Sequence, residues 1–187
     1  LLTANNNYKE LLKQVHFFNV KNIIITDKKK FETVKKILKN KRVNIFNNFE
    51  KIDKIFIKQK IDYTMNAISG LGGLDPALKI IKHTKTIAIA NKEAIICGWP
   101  LILSHLKKNK TEFIPIDSEH FSIWSLVNKS KNKNIEKVFL TASGGPFNNY
   151  PLNKFKSITK QSALNHPRWK MGKKISIDSA TMMNKVF

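Results

Sequence analysis

Apolar residues recur at helical spacing from Tyr8 to Phe18, and a continuous apolar run from Val20 to Thr26, centred on Ile23-Ile24-Ile25, stops at Asp27. The first pattern predicts an amphipathic helix and the second a buried strand. Phe31, Val34, Ile37 and Leu38 then share one face of a helix predicted over 29–39. Val43 to Phe46 is a short strand and 48–58 a further helix. Tyr63 to Ser69 is a strand closing on Gly70-Leu71-Gly72-Gly73, and Leu74 to His83 is a helix with Pro76 in its first turn, where proline is tolerated. Thr86 to Ala90 completes the series as a short apolar strand. Strands alternate with helices and carry unbroken apolar runs, so they predict a parallel sheet covered by helices on both faces.

The pattern changes after about residue 115. Loops lengthen, punctuated by Gly144-Gly145-Pro146, Tyr150-Pro151 and His166-Pro167, and Lys129 to Asn134 reads as a solvated lysine/asparagine loop. Val138-Phe139-Leu140 is one more apolar strand. This divides the chain into nucleotide-domain material over 1–117 and the start of a catalytic domain over 118–187. Both ends read as incomplete: Leu1-Leu2-Thr3-Ala4 is the tail of a strand, and Val186-Phe187 lies inside a helix without a stop signal.

Charge changes the picture less than its size suggests. A formal charge of +21 invites a nucleic-acid reading. Yet Arg42 and Arg168 are the only arginines, and the lysines are scattered rather than gathered on one segment. Base readout relies on arginine and single-strand binding on interleaved aromatics, so no nucleic-acid partner is expected. A positive field would still steer an anionic substrate. No run of about 18 apolar residues exists, so no membrane span is expected. The single cysteine, Cys97, fits a reducing cytoplasm and reads as a packed thiol within Ala94-Ile95-Ile96-Cys97.

Five segments could carry chemistry. Ala90-Asn91-Lys92-Glu93 follows a buried strand, where open parallel sheets bind ligands, though Asn91 also suits a helix cap. In extended chain Asp117 and Glu119 point to one side and could share a Mg²⁺ or Mn²⁺ ion. The alternative is a polar turn capping a helix, with His120 supporting rather than ligating. Ser143-Gly144-Gly145-Pro146 offers small residues and a hydroxyl to an anion. His166-Pro167-Arg168-Trp169 with Met171-Gly172 resembles a lid, and Ser179, Asn184 and Lys185 supply a hydroxyl, an amide and a charge. Met182-Met183 reads as core. Gly70-Leu71-Gly72-Gly73 is a weak match to a dinucleotide fingerprint, because Asp75 stands where the third glycine belongs; a tight turn is the better reading.

In this order the segments resemble the 1-deoxy-D-xylulose-5-phosphate reductoisomerase family, most clearly after Ile68 and through Ile177-Asp178-Ser179-Ala180-Thr181-Met182-Met183-Asn184-Lys185. The resemblance implies an α/β fold, a Rossmann-like parallel-sheet domain followed by the start of an α+β catalytic domain. It implies NADPH and Mn²⁺ or Mg²⁺ as cofactors and 1-deoxy-D-xylulose 5-phosphate as substrate, reduced to 2-C-methyl-D-erythritol 4-phosphate in non-mevalonate isoprenoid biosynthesis. Asp117 and Glu119 would ligate the metal. Lys92, Ser118 and Glu119 would contact the sugar, and Ser143, His166, Ser179, Asn184 and Lys185 its phosphate. Trp169 and Met171 belong to the lid. Asn91, Glu93 and Gly172 match cofactor contacts, as do Asn5, Asn6 and Asn7, which stand in place of the family's usual Gly-Lys-Asn. The family's glycine-rich phosphate loop would lie before Leu1 and its third acidic ligand immediately after Phe187, so the chain reads as an inactive fragment of a homodimeric parent, from a bacterial cytoplasm rather than a plastid.

Overall fold

A computed structural model describes residues 1–57, 60–129, 135–142 and 144–186. The chain divides into two compact units, Leu1–Phe113 and Ile114–Phe187. In the first, β1 (Leu2–Ala4) leads to α1 (Tyr8–Phe17), β2 (Asn22–Ile25), α2 (Lys28–Ile37) and β3 (Asn44–Phe46). The strands pair in parallel with Leu2 opposite Ile23 and Ile23 opposite Ile45. A 3₁₀ turn at Phe49–Lys51 runs into the single-turn α3 (Ile52–Ile55), where the sequence pattern predicts one longer helix. Then come β4 (Ile61–Asn66), α4 (Leu74–Ile81), β5 (Thr84–Ile89), α5 (Lys92–Asn109) and β6 (Glu112–Pro115). The second ladder has the order β4-β5-β6, with Ile61 opposite Thr84 and Asn66 opposite Ile89. The expected single sheet is thus two three-stranded ladders among the described residues.

What unites the first unit is β2. Side chains alternate across a strand, so Ile23 and Ile25 face one layer and Ile24 the other. Ile23 and Ile25 pack with Leu11, Val15, Val34 and Leu38 of α1 and α2 and the residue following. Ile24 packs with Ile52, Ala77, Ile81, Ile87 and Ile102 of the other layer. All three isoleucines are fully buried, each contributing about 1.5–3 kcal/mol of transfer free energy.

Two expectations of burial fail on α5 and beyond. Cys97 is exposed, because an apolar run on a helix turns through every face and Ile96 and Leu101 come outward with it. Met182 and Met183 are also exposed, at the junction of two helices rather than in a core.

The second unit contains α6 (Ser118–Lys129), a 3₁₀ stretch at Leu152–Ser157, α7 (Lys160–Leu164), α8 (Lys173–Thr181) and α9 (Met183–Val186). Thr159 and Ser162 form a reciprocal capping box at the start of α7. The strand expected at Val138-Phe139-Leu140 does not form; the three side chains are exposed and no ladder among the described residues includes them. Extended chain without a partner strand leaves its backbone groups to water. No helix among the described residues is long and apolar enough to cross a membrane.

In the full-length protein Ile24→Ala should cost about 2–5 kcal/mol, whereas Phe17→Ala, at an 81% exposed position, should stay within about 0.5 kcal/mol. Urea unfolding of both variants checks this, and equal losses would mean that β2 does not join two cores.

Candidate functional site

The first unit presents its candidate residues where strands hand over to helices. β1 ends at Ala4, and the exposed Asn5, Asn6 and Asn7 form the turn into α1. The Asn7 side chain caps that helix by accepting from the Glu10 N–H at 3.4 Å. Lys30 lies over the Tyr8 ring, its Nζ 5.4 Å from the centroid. That puts a cation beside the Asn5–Asn7 turn which the sequence reading did not single out, because a stacked partner twenty-two residues away leaves no local signal.

After β4 and β5 the turns are interlocked. Gly70 has a φ of 69°, open to glycine at little cost, and starts the 3₁₀ turn Leu71–Gly73. Buried Asn66 donates through Nδ2 to the Gly73 carbonyl at 2.8 Å. Asn91 is buried as well: its Oδ1 accepts from the Ala94 N–H at 2.7 Å, capping α5, and its Nδ2 donates to the Ile68 carbonyl. A Cβ on Gly73 would stand 2.0 Å from that Nδ2, so the glycine makes room for Asn91. The glycine segment is therefore a packed strand-to-helix turn. Lys92 and Glu93 follow in the first turn of α5, both half-buried.

In the second unit the expected extended pair at Asp117 and Glu119 is corrected. Helix α6 begins at Ser118, so Glu119 is helical and the two-apart argument does not apply. Asp117 is the cap: its Oδ1 accepts from the N–H groups of Glu119 at 2.9 Å and His120 at 2.7 Å. The His120 ring Nδ1 lies 3.0 and 2.9 Å from the two carboxylate oxygens. Ser118 is exposed, whereas Glu119 is buried and Lys185 of α9 donates to its Oε1. Their side chains are 7% and 15% exposed, which makes this an enclosed ion pair. Two carboxylates of one short segment are brought to the start of one helix, and a cation already sits on one of them.

His166 is buried between α7 and α8. Its Nδ1 accepts from the Arg168 and Trp169 N–H groups at 3.2 and 3.1 Å, which leaves the ring proton to Nε2. Trp169 stacks on the imidazole at 5.2 Å and 6° and remains 55% exposed. Met171 is half-buried, and exposed Gly172 precedes α8 with open space around its Cα. Ser179 is buried within α8 against Gly145, where a Cβ would meet the Ser179 carbonyl at 3.0 Å. Asn184 and Lys185 follow on α9, half-buried. Ser143 lies outside the described residues. Elsewhere, hydrogen bonds from Lys82 and then His83 hold the exposed Asp53 carboxyl below its ordinary pKa, which ties α3 to the turn after α4 at the surface.

Residues 1–98 match the family model described as 1-deoxy-D-xylulose 5-phosphate reductoisomerase, and 113–187 match that of its C-terminal domain. The reductoisomerase of Pelagibacter ubique is 63% identical over 188 residues, covering 100% of this chain and 48% of that protein. That of Wolbachia pipientis is 43% identical over 98% of this chain and 47% of its own length. The chain thus spans about half the length of the curated relatives it matches. Among solved structures, the Zymomonas mobilis reductoisomerase in complex with NADPH superposes with a TM-score of 0.85 at 33% identity, over 99% of this chain and 48% of that one. A reductoisomerase complexed with NADPH, fosmidomycin and magnesium gives 0.80 at 30% identity, over 98% and 48%.

Asn91→Ala should cost about 0.5–2 kcal/mol from the lost cap alone. Gly73→Ala should cost less in that background than in the wild type, since the clashing amide is gone. Unfolding of the four proteins of this cycle checks it, and strict additivity would rule out the Gly73–Asn91 interlock.

Proposed function

Because the chain belongs to the 1-deoxy-D-xylulose 5-phosphate reductoisomerase family, we propose that its full-length protein converts 1-deoxy-D-xylulose 5-phosphate to 2-C-methyl-D-erythritol 4-phosphate with NADPH and Mg²⁺ or Mn²⁺. The observation that carries this reading is the buried Glu119 carboxylate beside Asp117, facing the Lys185 ammonium. Its donor set is hard oxygen without sulfur, which suits a magnesium-like cation, and the Lys185 ammonium on Glu119 supports a preference for positive charge there.

In this reading Asp117 and Glu119 hold the cation and orient the substrate's carbonyl and adjacent hydroxyl. The bound metal supplies Lewis-acid polarisation of that carbonyl. Lys92, Ser118 and Glu119 contact the sugar. His166 offers its Nε2 proton to the phosphate while neutral, since Nδ1 is committed to the loop backbone. Ser143, Ser179, Asn184 and Lys185 complete the phosphate contacts, and Trp169 with Met171 excludes water above them. Asn91 can serve the cofactor only through atoms left after capping, whereas Glu93, Gly172 and the Asn5–Asn7 turn with Lys30 offer polar groups and positive charge to NADPH. We assign 1–117 to the nucleotide-binding domain and 118–187 to the catalytic domain, in a homodimer of the bacterial cytoplasm.

Substrate-dependent, Mn²⁺-dependent NADPH oxidation by the full-length protein tests the function. Asp117→Asn should lower turnover by about 100-fold or more, since a Lewis acid contributes several kcal/mol. Retained turnover and an unchanged Mn²⁺ titration would remove Asp117 from the site. Substrate should also change Trp169 fluorescence once Trp99 and Trp124 are replaced by phenylalanine, and identical spectra would argue for a static tryptophan.

A further inference from the structure

Lys185 would compete with a divalent cation for Glu119. A carboxylate 7% exposed is costly without a positive partner, and Lys185 supplies one by direct contact. A metal ion on the same carboxylate would repel the ammonium and weaken its hold there. Lys185 is built to leave. It sits on α9, a single turn from Met183 to Val186, joined to α8 through Met182 in the left-handed region at φ 61°. One helical turn has little stability of its own, and lysine carries its charge on a flexible four-carbon stem. Ser179 and Asn184, the other candidate phosphate contacts, occupy the same two helices.

We propose that Lys185 is an exchangeable counter-ion, held by Glu119 before the metal binds and transferred to the substrate's phosphate when it does. This rests on the reading of Asp117 and Glu119 as cation ligands. Metal binding releases Lys185 for the phosphate, and phosphate draws Lys185 off the carboxylate that the metal needs. Each ligand then tightens the other by the same factor, as linkage requires. Lys185 is thus a positioning residue for the metal as well as a contact for the anion.

The test is Mn²⁺ binding to the full-length protein by electron paramagnetic resonance, with and without saturating inorganic phosphate and corrected for the buffer complex of the two ions. In the wild type, phosphate should tighten Mn²⁺ by about 5- to 150-fold. Lys185→Met should bind Mn²⁺ more tightly than wild type without phosphate and lose the phosphate effect. Lys185→Arg preserves the charge and forks onto Glu119, so it should weaken Mn²⁺ without phosphate; it serves where the methionine variant fails to fold. Unaltered phosphate coupling in Lys185→Met, or weaker Mn²⁺ binding, would overturn the exchange while leaving the metal site intact. Mn²⁺ binding insensitive to Asp117→Asn would overturn the metal site itself, and the exchange with it.

Discussion

The first N–H groups of every helix lack partners within the helix, and the side chains that answer them set the local geometry of three candidate segments. Asn7, Asn91 and Asp117 all accept from such groups. Each stands two or three residues after a strand, which is also where an open parallel sheet offers itself to ligands. Capping and the proposed ligand binding would therefore draw on the same residues. Asn91 resolves the competition toward structure, because both of its side-chain atoms are engaged by the protein. Asp117 could serve both, since a carboxylate accepts several bonds; its second oxygen meets the His120 ring.

A buried charge imposes the second constraint. Glu119 turns inward from the first turn of α6, and the Lys185 ammonium offsets the cost of burying its charge. Its partner comes from α9, sixty-six residues later, so the ion pair ties the start of the second unit to its last described helix. Under the proposed exchange, the same need would let the site take a lysine or a metal ion in turn. His166 follows a related economy: by accepting two backbone N–H groups it both shapes the Trp169 loop and leaves the ring proton to Nε2.

Much of the first unit was legible as pattern. Helices α1, α2 and α4 and strands β2, β3 and β5 fall within a few residues of the periodic and apolar runs that predict them. The tight-turn reading of Gly70 to Gly73 holds because Asp75 could not serve a pyrophosphate and because Asn91 needs the space beside Gly73. The extended reading of Asp117 to Glu119 fails because Asp117 caps a helix that already includes Ser118 and Glu119. Val138 to Leu140 shows the limit of β propensity, since a strand exists only with a partner to receive its hydrogen bonds.

By itself the sequence determined the strand–helix order, the burial of Ile23 to Ile25, the residue types of the candidate site and the family resemblance, because periodicity and ordered motifs are local along the chain. Tertiary structure decided the rest. Only folding could set Ile24 into a different layer from its two neighbours, bring Asn91 against Gly73, or place Lys185 on Glu119. It also turned Cys97 and Met183 outward despite their apolar settings. Such contacts join residues far apart in the chain, and whether a side chain is capped, buried or paired depends on what the fold carries to it.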